Sequence, residues 1–172
     1  MLKLIGASII LFSTTFTGLK AAGRLARRPV EIRQLQTALK LLQTEIVYGA
    51  TPLSQALDHI AKRISGSVGK LFSMVAGMLN GQQELTVYQS FETAAAEIWP
   101  TTAMKQPEKE ILLQLGGILG LSDREDQKRH IELALMNLQS EEKHSLDQQS
   151  KYEKLYKSMG LLSGLLVIIL LY

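Results

Sequence analysis

The stretch Gly66-Ser-Val-Gly69-Lys70 is glycine-rich and ends in lysine, the residue types of a phosphate-binding loop. Such a loop reads G-x-x-x-x-G-K-[ST]: backbone amides wrap the phosphates, the lysine reaches them and the hydroxyl holds magnesium. Here the glycines stand too close, Leu71 replaces the hydroxyl residue, and no strand-like segment precedes them. The three histidines, His59, His130 and His144, are scattered. Asp126 lies one turn from His130, but two ligands do not make a metal site. Asp123, Glu125 and Asp126 cluster where a helix should begin, and acids in a first turn complement the helix dipole. Trp99 beside Pro100 reads as an anchor between helices. The chain has no cysteine, which excludes thiolate nucleophiles, disulfides and zinc–thiolate sites. No catalytic residue, metal site or cofactor site is expected. The chain is read as a non-enzyme that works by binding.

The elements that must position these residues read as helices throughout, with no strand alternation. Pro29 suits a first helical turn and Gly49 a helix end. Between them Ile32, Leu35, Leu39, Leu42 and Ile46 recur at steps of three and four, one stripe of an amphipathic helix. Thr51-Pro52 reads as an N-cap and a first-turn proline, followed by Leu53, Ala56, Leu57, Ile60 and Ile64. Val68, Leu71, Phe72, Val75 and Leu79 mark a third helix closing near Gly81. Thr86 caps a fourth, with Val87, Phe91, Ala94 and Ile98 inward, and Pro100 stops it. Pro107 opens a fifth, with Ile111, Leu112, Leu115 and Leu119. Ser122-Asp-Arg-Glu125 has the form of a capping box. From Asp123 to Met159 no glycine or proline interrupts the last helix. The expected fold is all-α, a bundle of about six helices.

Two uncharged apolar runs flank this bundle. Leu4–Leu19 is bracketed by Lys3 and Lys20, and Gly160–Tyr172 follows Lys151, Lys154 and Lys157. As helices, both read as transmembrane anchors, the first short enough to need its lysines to snorkel. The expected organisation is an N-terminal anchor over residues 1–20, a helical domain over 21–157 and a C-terminal anchor over 158–172. A cleavable leader ending near Ala21-Ala22-Gly23 is the rival for the first run, and burial as core helices is the rival for both. Lys20, Arg24, Arg27 and Arg28 follow the first run and the three lysines precede the second. By the positive-inside rule both flanks face the cytoplasm. The domain is therefore expected inside, with both termini outside the cytoplasm.

Charge distribution narrows the partners. Residues 1–40 hold seven basic side chains against Glu31 alone, while the remainder holds 12 basic and 15 acidic. So local a cluster, next to an apolar run, marks a membrane surface and not a nucleic-acid groove. Gly160-Leu-Leu-Ser-Gly164 is a G-x-x-x-G pattern that lets another membrane helix approach closely. That helix is the first anchor, a second copy of the chain or another membrane protein, and the sequence leaves the three open. For a soluble partner, the turn into the last helix presents Asp123, Arg124, Glu125 and Gln127. Binding of anionic lipid by residues 20–33, in a membrane-remodelling protein, is the alternative function.

Four stretches together resemble one family. RRPVEIRQL at Arg27–Leu35, EIVYGATPLSQAL at Glu45–Leu57, LGLSDREDQ at Leu119–Gln127 and GLLSGLLVIILL at Gly160–Leu171 are similar to the stage III sporulation protein AB family of endospore-forming Firmicutes. The third block is the most specific. YGATPLSQAL also resembles the G-x-P-L-x-x-A-L entry of type II secretion system F domains, at Gly49, Pro52, Leu53, Ala56 and Leu57. Those domains are cytoplasmic bundles of about six helices in an inner-membrane platform protein that contacts a secretion ATPase. The pattern beyond the second helix fits only loosely, because Gly66 and Gly81 are not in clear register. The two resemblances imply a membrane platform on the mother-cell side of the channel joining mother cell and forespore. Its partners would be a cytoplasmic secretion-type ATPase, the AA member of the same set, and the other channel proteins.

Overall fold

The computed structural model describes residues 23, 25–49, 51–81, 85–121 and 123–171, with side chains described through Tyr152 and at Leu155. Six α-helices follow in order: α1 (residues 25–44), α2 (Leu53–Arg63), α3 (Gly66–Asn80), α4 (Val87–Ile98), α5 (Gln106–Gly116) and α6 (Arg124–Leu171). A π-helical turn, Glu45–Gly49, closes α1, and a 3-10 turn, Trp99–Thr101, follows α4. No strand occurs among the described residues.

The periodic stripes become one core. Ile32, Leu35, Leu39, Leu42 and Ile46 of the first stripe are all buried, and they meet Ala56, Leu57 and Ile60 of α2 and Leu71, Phe72 and Val75 of α3. Phe91 and Ala94 of α4, Leu112 and Leu115 of α5, and Ile131, Ala134, Leu135 and Leu138 of α6 complete it. Phe72 and Phe91 cross edge to face, with ring centroids 6.1 Å apart, and pin α3 to α4. Trp99 is buried and donates from Nε1 to the Lys105 carbonyl at 3.2 Å, the inter-helix anchor expected of it. Gly69 is a packing residue: a Cβ there would stand 1.8 Å from the Ile64 carbonyl oxygen, so its bare backbone lets α3 close onto the end of α2.

The end signals hold in part. Thr86 and Gln89 form a reciprocal capping box, with bonds of 3.2 and 2.9 Å. Pro107 lies in the first turn of α5, and Glu108 accepts from the Lys105 amide at 2.8 Å. Pro29 is not a start. Helix α1 is already under way at residue 25, and Pro29 is buried between Arg28 and Glu31, whose tertiary bonds hold the helix across the missing amide. Thr51 does not cap α2, which begins at Leu53; its hydroxyl is drawn instead to Glu45. The box expected on Ser122 and Glu125 involves Ser122, outside the described residues. The described cap of α6 is Asp123, whose Oδ1 accepts from the Asp126 amide at 2.8 Å.

Helices α1 and α6 run antiparallel. Arg28 reaches Glu141 at 2.9 Å and Gln148 at 3.2 Å, Gln36 reaches Glu142 at 2.9 Å, and Gln43 reaches Glu132 at 2.9 Å. The start of α1 and the outgoing part of α6 thus share one end of the bundle. The π-turn and Arg124 share the other, about 36 Å away along the 24 residues from Arg124 to Gln148.

The seam along α6 changes character on the way. Through Leu138 it is apolar, and beyond it the inward positions are Glu141, Glu142, Ser145 and Gln148. Arg28, 3% exposed, donates to Glu108, 0% exposed, from Nε at 2.9 Å and from Nη2 at 2.5 Å. Arg33 pairs with Glu142, and Arg27 with Glu31 at 2.8 Å. Of the basic cluster expected at a membrane surface, Lys3, Lys20 and Arg24 lie outside the described residues. Arg27, Arg28 and Arg33 face carboxylates of the bundle itself, and Arg28 presents almost nothing to any surface.

The anchor expected over residues 1–20 lies outside the described residues. The backbone of α6 continues unbroken to Leu171, as the absence of breakers suggests, but the side chains of the second apolar run also lie outside. Among the described residues, no helix is long and apolar enough to cross a membrane.

Candidate docking corner

Two segments far apart in the chain meet at the end of the bundle opposite the outgoing helices: the π-turn with the entry to α2, and the turn that leads into α6. On the first side, Thr51 Oγ1 donates to Glu45 Oε2 at 2.8 Å, and the Thr51 amide donates to the Glu45 carbonyl at 3.3 Å. His59 Nδ1 lies 3.4 Å from Glu45 Oε1. The Thr51 hydrogen bond, followed by the His59 contact, holds the Glu45 carboxyl below the ordinary carboxylate range. A Cβ on Gly49 would stand 2.8 Å from Thr51 Oγ1, so the glycine leaves room for this bond. Next to it, Ala56 and Leu57 fix α2 in the core.

On the second side, Gly120 adopts φ +84°, a left-handed conformation that turns the chain from α5 toward α6. Leu53 and Val87 are its nearest neighbours, with Val87 Cγ2 3.2 Å from where a Cβ would stand. The first turns of α6 are laced by local pairs: Lys128 to Glu125 at 3.4 Å, Arg129 to Asp126 at 2.6 Å and His130 to Asp126 at 3.8 Å.

Between the two sides lies a cleft of about 220 Å³ lined by Ile46, Thr51, Leu53, Gly120, Arg124 and Gln127. Of the four residues expected to bind a partner, Arg124 and Gln127 are brought into this cleft. Asp123 is taken up in the cap, and Glu125 is exposed and turned to Lys128. The expectation missed Tyr48, in the π-turn that holds Ile46, and Leu121, next to Gly120 in the chain. At 84% and 86% they are the most exposed large apolar side chains among the described residues. Glu45, Thr51 and His59 were also missed as a linked group, although two of them fall in the EIVYGATPLSQAL block. Gly160 and Gly164 lie in the outgoing α6, and what surrounds them is outside the described residues. The histidines remain apart, and no group of three or more His, Asp or Glu side chains gathers where a metal could sit among the described residues.

The family model for stage III sporulation protein AB matches residues 3–172, which takes in both apolar runs as well as the bundle. The chain belongs to the stage III sporulation protein AB family. It is 42% identical over 171 residues to the stage III sporulation protein AB of Bacillus subtilis (strain 168), covering 99% of each chain. A solved structure of a stage III sporulation protein AB superposes with a TM-score of 0.68 at 38% identity, over 73% of this chain and 98% of that one. Family membership rests on the length of the match, and the helical bundle on the structural likeness. The two segments that form the corner are the EIVYGATPLSQAL and LGLSDREDQ blocks, so family-like sequence converges here in space.

Proposed function

We propose that this protein is a non-enzymatic membrane platform in endospore formation. Both ends insert in the mother-cell membrane, the bundle stands on the cytoplasmic side, and the corner opposite the membrane receives a secretion-type ATPase. Movements of the ATPase pass through the corner into α6 and along it to the other channel proteins. The observation that carries this reading is the antiparallel register of α1 and α6: the start of α1, which the first apolar run precedes in sequence, shares one end with the outgoing part of α6, and the cleft opens at the other. The likeness of Gly49, Pro52, Leu53, Ala56 and Leu57 to the entry of F domains supports the same role.

The reading predicts topology. The chain has no cysteine, so single cysteines can be introduced cleanly. An impermeant thiol reagent applied to intact cells is expected to label a cysteine added after Tyr172 and to spare one at Ser140. The reverse pattern refutes the arrangement. Co-purification of the full chain with and without the ATPase tests the partner. Loss of binding to anionic vesicles on neutralising Lys20 and Arg24, with no ATPase binding, would favour membrane remodelling instead.

A further inference from the structure

Arg124 stands apart from the other cations near it. Lys128 and Arg129 are engaged by Glu125 and Asp126, whereas Arg124 makes no hydrogen bond or ion pair with any described residue. It lines the cleft with Thr51 and Gly120, and two large apolar side chains on the same segments are exposed: Tyr48, in the π-turn that holds Ile46, and Leu121, next to Gly120 in the chain. A guanidinium presents a planar fork of donors that matches a carboxylate. Tyr and Arg are also enriched at the centres of protein interfaces, where an apolar contact excludes water from a polar one.

We infer that this corner receives a protein segment that presents a carboxylate beside an apolar side chain, the carboxylate going to Arg124 and the apolar group to Tyr48 and Leu121. A lipid headgroup does not fit, because the corner is 36 residues, about 54 Å, along α6 from Gly160, where the second apolar run begins. A nucleic acid does not fit either. Its successive phosphates would meet Asp123, Glu125 and Asp126 in the same turn, whereas one carboxylate meets one unengaged cation. This rests on the docking reading above, and the two can fail separately.

The test uses the full chain in detergent micelles against the purified ATPase. Arg124→Glu is expected to weaken binding about 10-fold or more, and Tyr48→Ala comparably, while Arg124→Lys, which keeps the charge and loses the fork, falls between Arg124→Glu and the parent. Lys40→Glu, an equal charge change on the exposed side of α1, is expected to leave binding unchanged. Affinity of the unaltered chain should fall with salt, and Arg124→Glu should flatten that dependence. Since Arg124 makes no hydrogen bond or ion pair with the described residues, its variants should keep the parent melting curve. If the ATPase binds every variant equally, the inference is overturned and the platform reading stands. If the ATPase does not bind the unaltered chain, that partner is removed, and a second arm decides the inference. In sporulating cells at normal protein level, Arg124→Glu must block spore formation and Arg124→Lys must sustain it. Normal sporulation with Arg124→Glu overturns the inference whatever the ATPase does.

Discussion

Replacing Arg28 with methionine is the sharpest test of how α6 is held. Met keeps most of the length and apolar stem of the side chain and deletes the guanidinium. Four hydrogen bonds go with it, two to Glu108, one to Glu141 and one to Gln148. Glu141 can turn to water, since its side chain is 26% exposed, but Glu108 cannot, being 0% exposed. Among the described residues it would keep only the Lys105 amide as a partner. Removing one member of a buried ion pair typically costs about 3–5 kcal/mol, against a domain stability of about 5–15 kcal/mol. Arg33→Met removes a cation whose side chain is 57% exposed, and an exposed pair contributes at most about 1 kcal/mol. The assay is urea unfolding of a fragment spanning residues 23–152, followed by far-ultraviolet circular dichroism. The expected order is a large loss for Arg28→Met, little for Arg33→Met, and substantial recovery when Glu108→Gln is added to Arg28→Met, because the amide leaves no buried charge. Equal costs for the two arginines, or a double variant no better than the single, would refute the argument that the Arg28 contacts form a buried clasp.

Other outcomes follow from single contacts. Thr51→Val should raise the Glu45 pKa toward its ordinary value, read by carboxyl NMR titration. A depressed folded-state pKa contributes stability above the unfolded pKa that is lost as pH falls through the folded one, so the variant should lose less stability on acidification than its parent. Gly69→Ala drives a methyl into the Ile64 carbonyl and should cost about 1–3 kcal/mol or more, seen as a lowered melting temperature. Ser145 Oγ is buried without a hydrogen-bond partner among the described residues, so Ser145→Ala should leave urea stability unchanged or raise it by about 1 kcal/mol. Deleting Gly160–Tyr172 should leave the bundle folded by circular dichroism, because the core among the described residues ends at Leu138, while sporulation is lost. Gly160→Leu with Gly164→Leu should keep membrane insertion and weaken assembly on blue-native gels.

The helices were legible because burial and periodicity are the same physical fact. Ile32, Leu35, Leu39, Leu42 and Ile46 can share one face only in a helix, and a face so apolar must be covered. Punctuation was less reliable where a tertiary partner outbid a local one. Thr51 has the chemistry of an N-cap, but Glu45 across the turn takes its hydroxyl. Pro29 has the chemistry of a helix start, but tertiary bonds on either side carry the helix past it. Part of the basic cluster has partners that its own stretch of sequence does not show. Charge along a sequence shows that arginines are close together, and not that Glu108, Glu141 and Glu142 wait on other helices to receive them. In the corner, Arg124 and Gln127 were visible as charged and polar residues at a helix start. Tyr48 and Leu121 were not, because an exposed apolar residue looks like any other until the bundle is closed.

The change of seam along α6 has a mechanical consequence. An apolar seam resists separation by water, whereas an ionic one can exchange its partners for water and give way. If α6 yields, it yields beyond Leu138, and Leu138 becomes a fulcrum. The arm toward Arg124 is then 14 residues, about 21 Å, and the arm toward Leu171 is 33 residues, about 50 Å. A stiff rod pivoting there multiplies displacement by roughly 2.4. A shift of 1–2 Å at the corner, the size of an ordinary helix adjustment at an interface, becomes a sweep of roughly 2–5 Å at the far tip.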